Sequence, residues 1–210
     1  MTDPPYNLSS DFKIEFPDRS DVGYEAGDWD DGSIQPQDWI SEVVPLLKET
    51  GVVIAFYDNR KMGDVISAVR DAGLELRQKA YWHKTNPTPQ MFGVKWQEAV
   101  EELIIATANQ GEGHHFQEHL GQRHNVIKAS VNGRGTGEDH PTQKPEELIA
   151  ELIKWWSKEG DFVVDPFAGT GTTCVAAQQL GRHYLGIEID EEYVEICRER
   201  LQQKSLRHNW

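Results

Sequence analysis

The pattern that most restricts the fold lies between residues 161 and 188. The apolar segments DFVVD and HYLGIEID are typical of strands, and residues 172–180 between them are typical of a helix. The turn DPFAGTGTT joins the first strand to that helix. Such a turn lets a ligand approach the backbone closely and points the amides of a helix N-terminus at it. This order of elements predicts a parallel α/β sheet with a ligand site at the strand ends.

The rest of the chain alternates in the same way. Helical periodicity covers residues 37–50, 60–72, a segment opened by Pro145, and 191–203. Further strands are predicted at 52–58, 74–82 and 99–107. We therefore predict one Rossmann-like α/β domain over residues 1–210, with a mostly parallel sheet and helices on both faces. Residues 109–139 have little periodicity and many Gly, His, Asn and Gln, so they are predicted to be a long loop or small insert.

An acidic residue stands at the end of each strand that flanks the Gly-rich turn. Glu188, 23 residues after Asp165, is placed to accept hydrogen bonds from ribose hydroxyls. Asp165 directly before the turn would repel a pyrophosphate, and Cys174 leaves the GxGxxG pattern incomplete. These features favour a ligand that carries an ammonium group, such as the methionine part of S-adenosylmethionine, over a dinucleotide.

The tetrapeptide Asp-Pro-Pro-Tyr at residues 3–6 suggests chemistry on an amine. An exocyclic amine of a base is a poor nucleophile because its lone pair is delocalised into the ring. A carboxylate and a backbone carbonyl that accept its two N–H bonds return electron density to the nitrogen. Two prolines hold the carbonyl rigidly, and an aromatic ring can stack on an extruded base. Taken alone, the same tetrapeptide is more often a simple proline-rich turn.

The two motifs in this order resemble the amino-methyltransferases of prokaryotic and phage DNA, in the permuted form where the catalytic motif comes first. WHKTNPTP, EELIIATA and HPTQKP lie between them and agree with the family in order. The resemblance implies direct transfer of a methyl group from S-adenosylmethionine to N6 of adenine in DNA. DPPY rather than SPPY favours adenine, and N4 of cytosine remains the alternative.

The resemblance also implies roles for individual residues. The catalytic group comprises Asp3, Pro4, Pro5 and Tyr6. The expected cofactor contacts are Asp165, Pro166, Phe167, Ala168, Gly169, Thr170, Gly171, Thr172, Thr173 and Glu188, together with Thr142 and Lys144, which would reach the carboxylate of the cofactor. No metal is expected. HFQEH at 115–119 matches a zinc-peptidase pattern, but it lies in a Gly- and Gln-rich segment instead of a helix.

Two departures from the family carry expectations of their own. Only Met1 and Thr2 precede Asp3, so the N-terminal strand that should deliver DPPY is apparently missing, and a non-catalytic cofactor- or DNA-binding remnant is a second reading. The recognition segment is short for a domain that reads DNA sequence. Trp82, beside HKTNPTP, is expected near the site.

The charge distribution indicates where DNA would be tolerated. The net charge is −14 overall, but residues 76–144 carry about +1 and six of the eight histidines. The acidic flanks would weaken indiscriminate DNA binding. No apolar run reaches membrane-spanning length and the two cysteines form no CxxC pair, so a cytoplasmic protein is expected. A homodimer and a partner restriction enzyme both stay open.

Overall fold

The computed structural model describes residues 1–7, 32–87, 96–108, 116–131 and 143–207, with side chains in the last helix described to residue 203. It also describes the backbone of two short paired strands, β1 (Lys13–Ile14) and β2 (Val22–Gly23). Within these ranges, no helix combines the length and apolar character that crossing a bilayer requires.

The main sheet contains four strands in the order β3–β5–β4–β6. Their bounds are Val52–Tyr57 for β3, Glu75–Lys84 for β4, Val100–Thr107 for β5 and Val126–Ala129 for β6. β5 pairs antiparallel with β3 and β4, whereas β4 and β6 are parallel. The expected mostly parallel sheet is thus mixed, because β5 follows β4 and returns beside it.

A second sheet pairs β7 (Phe162–Asp165) in parallel with β8 (His183–Gly186). The first two residues connect the two sheets. Thr2 forms an isolated parallel bridge to Ala55 of β3. Its amide donates to Ile54 O at 2.8 Å, and its carbonyl accepts from Phe56 N at 3.1 Å. On the other side, the Met1 amino group donates to Val164 O at 2.8 Å. The first two residues therefore lie between β3 and β7, directly before the tetrapeptide.

Helices cover both faces of the sheet, as the alternating pattern predicted. They are α1 (Pro36–Val43), α2 (Met62–Asp71), α3 (Glu146–Trp156), α4 (Thr172–Gln179) and α5 (Glu191–Arg207). Buried residues of α3 and α4 pack on one face against Ile54, Phe56 and Leu103. Those of α1 and α2 pack on the other face against Val53, Ala55 and Ile104. The alternation of side chains along each strand separates the two cores.

The predicted loop at 109–139 needs a correction. Val126–Ala129 forms β6, and Ile127 and Ala129 are buried in the core shared with α3. The strand escaped prediction because only four residues alternate and only two of them face inward. A short 3-10 turn occupies Glu118–Leu120, and residues 109–115 and 132–142 lie outside the described part of the chain.

Candidate active site

The tetrapeptide leaves the sheet where Thr2 bridges β3, so it lies near the carboxyl end of that strand. Pro4 and Pro5 are buried, whereas Asp3 and Tyr6 are half-buried. Asn7 follows with a positive φ of 57°. Its side-chain amide donates to Ile34 O at 2.8 Å, and its backbone carbonyl accepts from Lys61 Nζ at 2.7 Å. The tetrapeptide is thus anchored on both sides, which fixes the direction of the half-buried Asp3 and Tyr6 side chains.

The carboxylate of Asp3 has a donor on each oxygen. The Tyr6 hydroxyl lies 2.5 Å from Oδ1, and Lys144 Nζ lies 2.6 Å from Oδ2. Burial raises the pKa of Asp3, and Lys144 opposes that shift. Burial together with the nearby Asp3 and Glu101 carboxylates raises the pKa of Tyr6 well above 10, so Tyr6 is neutral and can donate its hydrogen. The site therefore presents a carboxylate, a phenol and an ammonium around one point.

Glu101, at the start of β5, is part of this cluster and was not among the sequence-predicted site residues. Its Oε1 lies 2.9 Å from Lys144 Nζ and 2.9 Å from the Tyr6 hydroxyl, and its Oε2 lies 2.9 Å from Lys84 Nζ. Burial alone would raise the pKa of Glu101, but Lys144 and Lys84 lower it to about 2. The pKa of Lys144 is raised, since Asp3 and Glu101 outweigh the effect of its burial. Asp3, Glu101, Lys84 and Lys144 thus form a quartet of two negative and two positive groups.

This quartet makes the stability of the protein depend on acid through Glu101. The pKa of Glu101 is depressed from 4.5 to about 2 in the folded state. The stabilisation that ionised Glu101 provides is therefore complete above pH 4.5 and is lost as pH falls through 2. We expect Glu101→Gln to lower the free energy of unfolding by about 1–3 kcal/mol at neutral pH and to flatten its dependence between pH 4.5 and 2. Urea unfolding at several pH values measures both effects. A parallel pH curve for the variant and the wild type would contradict this prediction.

The Gly-rich turn provides open space beside the backbone of Gly169. A Cβ built on this glycine would meet no atom within 4 Å, and its φ is +51°. The Gly169 amide donates to Glu188 Oε2 at 2.7 Å, while Glu188 Oε1 accepts from the amides of Ile189 and Asp190. The acidic residue predicted at the end of β8 is therefore held against the turn, at the edge of the open space.

Asp165 ends β7 and is only 3% exposed. Its Oδ1 accepts from Thr2 Oγ1 at 2.9 Å and from Phe167 N at 3.1 Å. Burial raises its pKa to about 6. The Thr2 contact joins the two predicted motifs directly, although 163 residues separate them in sequence. The role of Asp165 as the partner of a cofactor ammonium stays a prediction; in this structure it braces the turn.

The segment before α3 joins the two halves of the site through adjacent side chains. The side-chain amide of Gln143 satisfies its neighbours when its oxygen faces Arg200 and Thr172. In that orientation the oxygen accepts hydrogen bonds from Arg200 at 3.1 Å and from Thr172 at 3.2 Å. Arg200 also donates to Thr170 O at 2.7 Å. Lys144, the next residue, lies at Asp3 and Glu101 in this structure, and its expected contact with the cofactor carboxylate stays a prediction. Thr142 lies outside the described residues.

The remaining predicted cofactor residues surround the turn, and several are core residues. Thr170, Thr172 and Thr173 are buried, whereas Pro166, Phe167 and Ala168 are half-buried. The Phe167 ring meets Trp39 edge-on at 6.4 Å between centroids.

Trp82, which was expected near the site, is a core residue, 3% exposed, and its indole N–H donates to Ala129 O at 3.0 Å. It approaches the site only indirectly, through Lys84, whose Nζ lies 5.1 Å from its ring.

Over the described ranges, no group of three or more His, Cys, Asp or Glu side chains could hold a metal ion. Glu118 and His119 of the HFQEH pattern begin a 3-10 turn, a geometry unlike the helix that a zinc peptidase needs. His115 lies outside the described residues.

A half-buried carboxylate in a DPPY tetrapeptide, beside a Gly-rich turn on an α/β sheet with helices on both faces, is the arrangement expected of a Rossmann-like methyltransferase. A family model described as DNA methylase, covering N6 and N4 enzymes, matches residues 1–199, so the chain belongs to the N6/N4 DNA methylase family. The cofactor of this family is S-adenosylmethionine.

Two curated relatives support this membership. Type II methyltransferase M2.DpnII of Streptococcus pneumoniae is 31% identical, over 98% of this chain and 82% of the relative. Type II methyltransferase M2.LlaDCHI of Lactococcus lactis subsp. cremoris is 29% identical, over 96% and 80% respectively. Both alignments therefore cover nearly the whole chain.

Solved structures confirm the fold. The complex of M1.HpyAVI with S-adenosylmethionine superposes with a TM-score of 0.73 at 25% identity, over 79% of this chain and 81% of that one. The PvuII DNA methyltransferase, described as cytosine-N4-specific, gives 0.71 at 18% identity, over 100% and 83%. The same fold therefore serves N4 chemistry, and the choice of base must come from the site.

Proposed function

We propose that this chain methylates N6 of adenine in DNA by direct transfer to an extruded base. The observation that carries the proposal is the Asp3 carboxylate, which is half-buried beside two buried prolines and Tyr6 and is joined through Thr2 to the Gly-rich turn. The DPPY form of the tetrapeptide supports adenine over cytosine. DNA as the substrate follows from membership of the DNA methylase family.

The proposed work of the tetrapeptide is to accept hydrogen bonds from the amine. Asp3 accepts one N–H and the carbonyl of Pro4 accepts the other, while Tyr6 stacks on the base. Both acceptors push electron density onto the nitrogen, which would form the new C–N bond as the bond from the methyl group to the cofactor sulfur breaks and leaves a neutral thioether. The amine carries one proton too many after transfer, and Asp3 is the carboxylate placed to receive it. Positioning and electrostatics supply most of the acceleration in this scheme.

The Gly-rich turn is proposed to hold S-adenosylmethionine, which supplies a methyl group activated by a positively charged sulfur. The open space at Gly169 fits a ligand against the backbone, and Glu188 at its edge is placed to accept ribose hydroxyls. Asp165 keeps its proposed affinity for the cofactor ammonium, and its raised pKa of about 6 still leaves it ionised at neutral pH. These residues fit the cofactor of the family on both charge and shape.

The chain is proposed to act as one domain in which residues 109–139, apart from β6, contact DNA. Of the part that the structure describes, 116–125 carries Arg123 and His124 at the edge of β6. Arg123 pairs with Glu151 at 2.5 Å, so this end of the segment is tied to α3. A restriction enzyme of the same specificity is kept as a proposed partner; the curated relatives are named only as Type II methyltransferases.

The proposal predicts that DNA incubated with the protein and methyl-labelled cofactor contains N6-methyladenine. Digestion to nucleosides and mass spectrometry separate the products, and an Asp3→Ala protein serves as the inactive control. Labelled N4-methylcytosine instead would support the alternative base. No labelled nucleoside from a folded, cofactor-binding protein would refute the proposal and favour a binding remnant.

A further inference from the structure

The ammonium of Lys144 occupies a site built for an amine. Its Nζ lies 2.6 Å from Asp3 Oδ2, 2.9 Å from Glu101 Oε1 and 3.2 Å from the Tyr6 hydroxyl, so each of its three N–H bonds has an oxygen nearby. It also lies 5.3 Å from the centre of the Tyr6 ring and 5.2 Å from that of Phe56. The side chain is only 8% exposed. A nitrogen bound by a carboxylate beside an aromatic ring is the arrangement that the target amine itself requires.

We propose that Lys144 is a placeholder for the amine of the target base: it occupies Asp3 in the DNA-free protein and withdraws onto Glu101 when the base enters. The inference rests on the proposed role of Asp3 as acceptor of the target amine. It names Lys144 and Glu101 as positioning residues that control access of the base to Asp3.

Two features favour the departure of Lys144. Tyr6 and Lys144 already provide a donor to each oxygen of Asp3, so an entering amine competes with them for these oxygens. A cation at hydrogen-bond distance from Asp3 also draws electron density away from the carboxylate that should enrich the amine. Positive charge builds on the amine nitrogen as the new bond forms, and a neighbouring ammonium opposes that charge.

Glu101 is the acceptor that makes withdrawal feasible. It already holds Lys144 at 2.9 Å on Oε1, so the ammonium keeps one ion pair when it releases Asp3. Lys84 binds the other oxygen at 2.9 Å and stays in place behind Glu101. Lys144 can therefore pair with either Asp3 or Glu101, whereas the entering base is proposed to bind only Asp3. A long flexible stem on the lysine allows the ammonium to shift without movement of the backbone.

The competing role for Lys144 is to keep Asp3 ionised while the base is bound. The groups facing Asp3 in the described structure are Lys144 before α3, Glu101 from β5 and Tyr6 from the tetrapeptide, with Lys84 of β4 behind Glu101. Loss of Lys144 leaves Asp3 near Glu101 without a counter-charge, so the pKa of Asp3 rises further in either role. Activity of a Lys144 variant is then lost at a higher pH as acid is added. Affinity for DNA measured at pH 9 separates the two roles, because alkaline pH favours the ionised form of Asp3 in both proteins.

The experiment compares Lys144→Met with Lys84→Met as a matched control. Both substitutions remove one lysine charge that Glu101 binds, but only Lys144 contacts Asp3. The methylation site is first mapped with the wild-type protein, and a duplex carrying that site is then titrated at pH 9 without cofactor by fluorescence anisotropy. A duplex lacking the site reports binding to the phosphate backbone alone.

We expect Lys144→Met to bind the site duplex up to about tenfold more tightly than the wild type, if the open state is roughly a tenth of the population. Its affinity for the duplex without the site should fall or stay the same. Lys84→Met should give a clearly smaller gain for the site duplex than Lys144→Met, because it draws Lys144 towards Glu101 without removing it. Glu101→Gln should weaken binding of the site duplex, because Lys144 then loses its second carboxylate. The double variant Lys144→Met/Glu101→Gln should recover the gain.

Two results would overturn the inference. Unchanged or weaker binding of the site duplex by folded Lys144→Met would leave Lys144 as a partner that only ionises Asp3. Equal gains from Lys84→Met and Lys144→Met would reduce the effect to a change of net charge around Glu101. A wild-type protein that transfers no methyl group to DNA would refute the proposed function, and the placeholder role would fail with it.

Discussion

Replacing Asp3 with asparagine should lower the rate of methyl transfer about 100-fold or more and leave the affinity for S-adenosylmethionine within about twofold of the wild type. Asparagine keeps the shape of the side chain but loses the charge that enriches the amine. It also leaves Lys144, 2.6 Å away, with a neutral partner. The contact between the tetrapeptide and the Gly-rich turn is made by Thr2 and not by Asp3, so the cofactor site should persist. Single-turnover kinetics measure the rate, and calorimetric titration measures the affinity.

Asp58→Asn is a suitable control for this experiment. Asp58 directly follows β3, near the same end of the strand, and pairs with the exposed Arg60 at 2.9 Å. Its substitution removes one carboxylate from the same region without contact to the quartet of Asp3, Glu101, Lys84 and Lys144. We expect nearly wild-type transfer from Asp58→Asn. A similar loss in both variants would attribute the effect to surface charge and not to the amine, and full activity in Asp3→Asn would refute the role of Asp3.

The helices and strands were predictable where apolar periodicity is long and a turn residue marks the boundary. Pro145 becomes the N-cap of α3, and Gly73 follows α2 with a φ of 80°, in the left-handed region that ends a helix, whereas α3 ends at Trp156 and Gly160 lies in the turn after it. The direction of β5 was harder to predict, because its apolar run looks the same in a parallel and an antiparallel pairing. β6 was missed since Ile127 and Ala129 gain their burial from α3 and not from a local pattern.

The two motifs of the site could be predicted, but the cluster that connects them could not. Asp3 and the turn at Gly169 each carry local signals in the sequence. Glu101 lies at the start of an apolar strand, where a charged residue is usually interpreted as the exposed end of the strand. Its partner Lys144 lies 43 positions later in the chain, so no local pattern connects the two. Only the three-dimensional fold brings both to Asp3. Lys144 was assigned to the cofactor because HPTQKP, just before a helix, resembles the family motif; the structure places Lys144 at Asp3 and Gln143 at Thr172.

The two glycines of the turn should separate cofactor binding from folding. Gly169→Ala places a methyl group in the open space beside the Glu188 carboxylate, and we expect it to weaken cofactor binding about tenfold or more at a stability cost of about 1–2 kcal/mol from its positive φ. Gly171 has a φ of +81°, and a Cβ there would lie 2.1 Å from Cys197 Sγ and 2.9 Å from Cys197 Cβ. Gly171→Ala must therefore push α5 away from α4, which we expect to cost about 2–5 kcal/mol of the roughly 5–15 kcal/mol that stabilises a domain.

A second substitution tests the physical cause of the larger effect. Cys197→Ala removes the sulfur at 2.1 Å but leaves the Cβ at 2.9 Å, so the double variant Gly171→Ala/Cys197→Ala should regain only part of the lost stability. The same cysteine change should do nothing for Gly169→Ala, because its added methyl meets no atom within 4 Å. Urea unfolding gives the stabilities, and calorimetric titration of each folded variant gives the cofactor affinities. Equal destabilisation by the two alanines, or rescue of both by Cys197→Ala, would show that the turn does not present one glycine to the ligand and the other to α5.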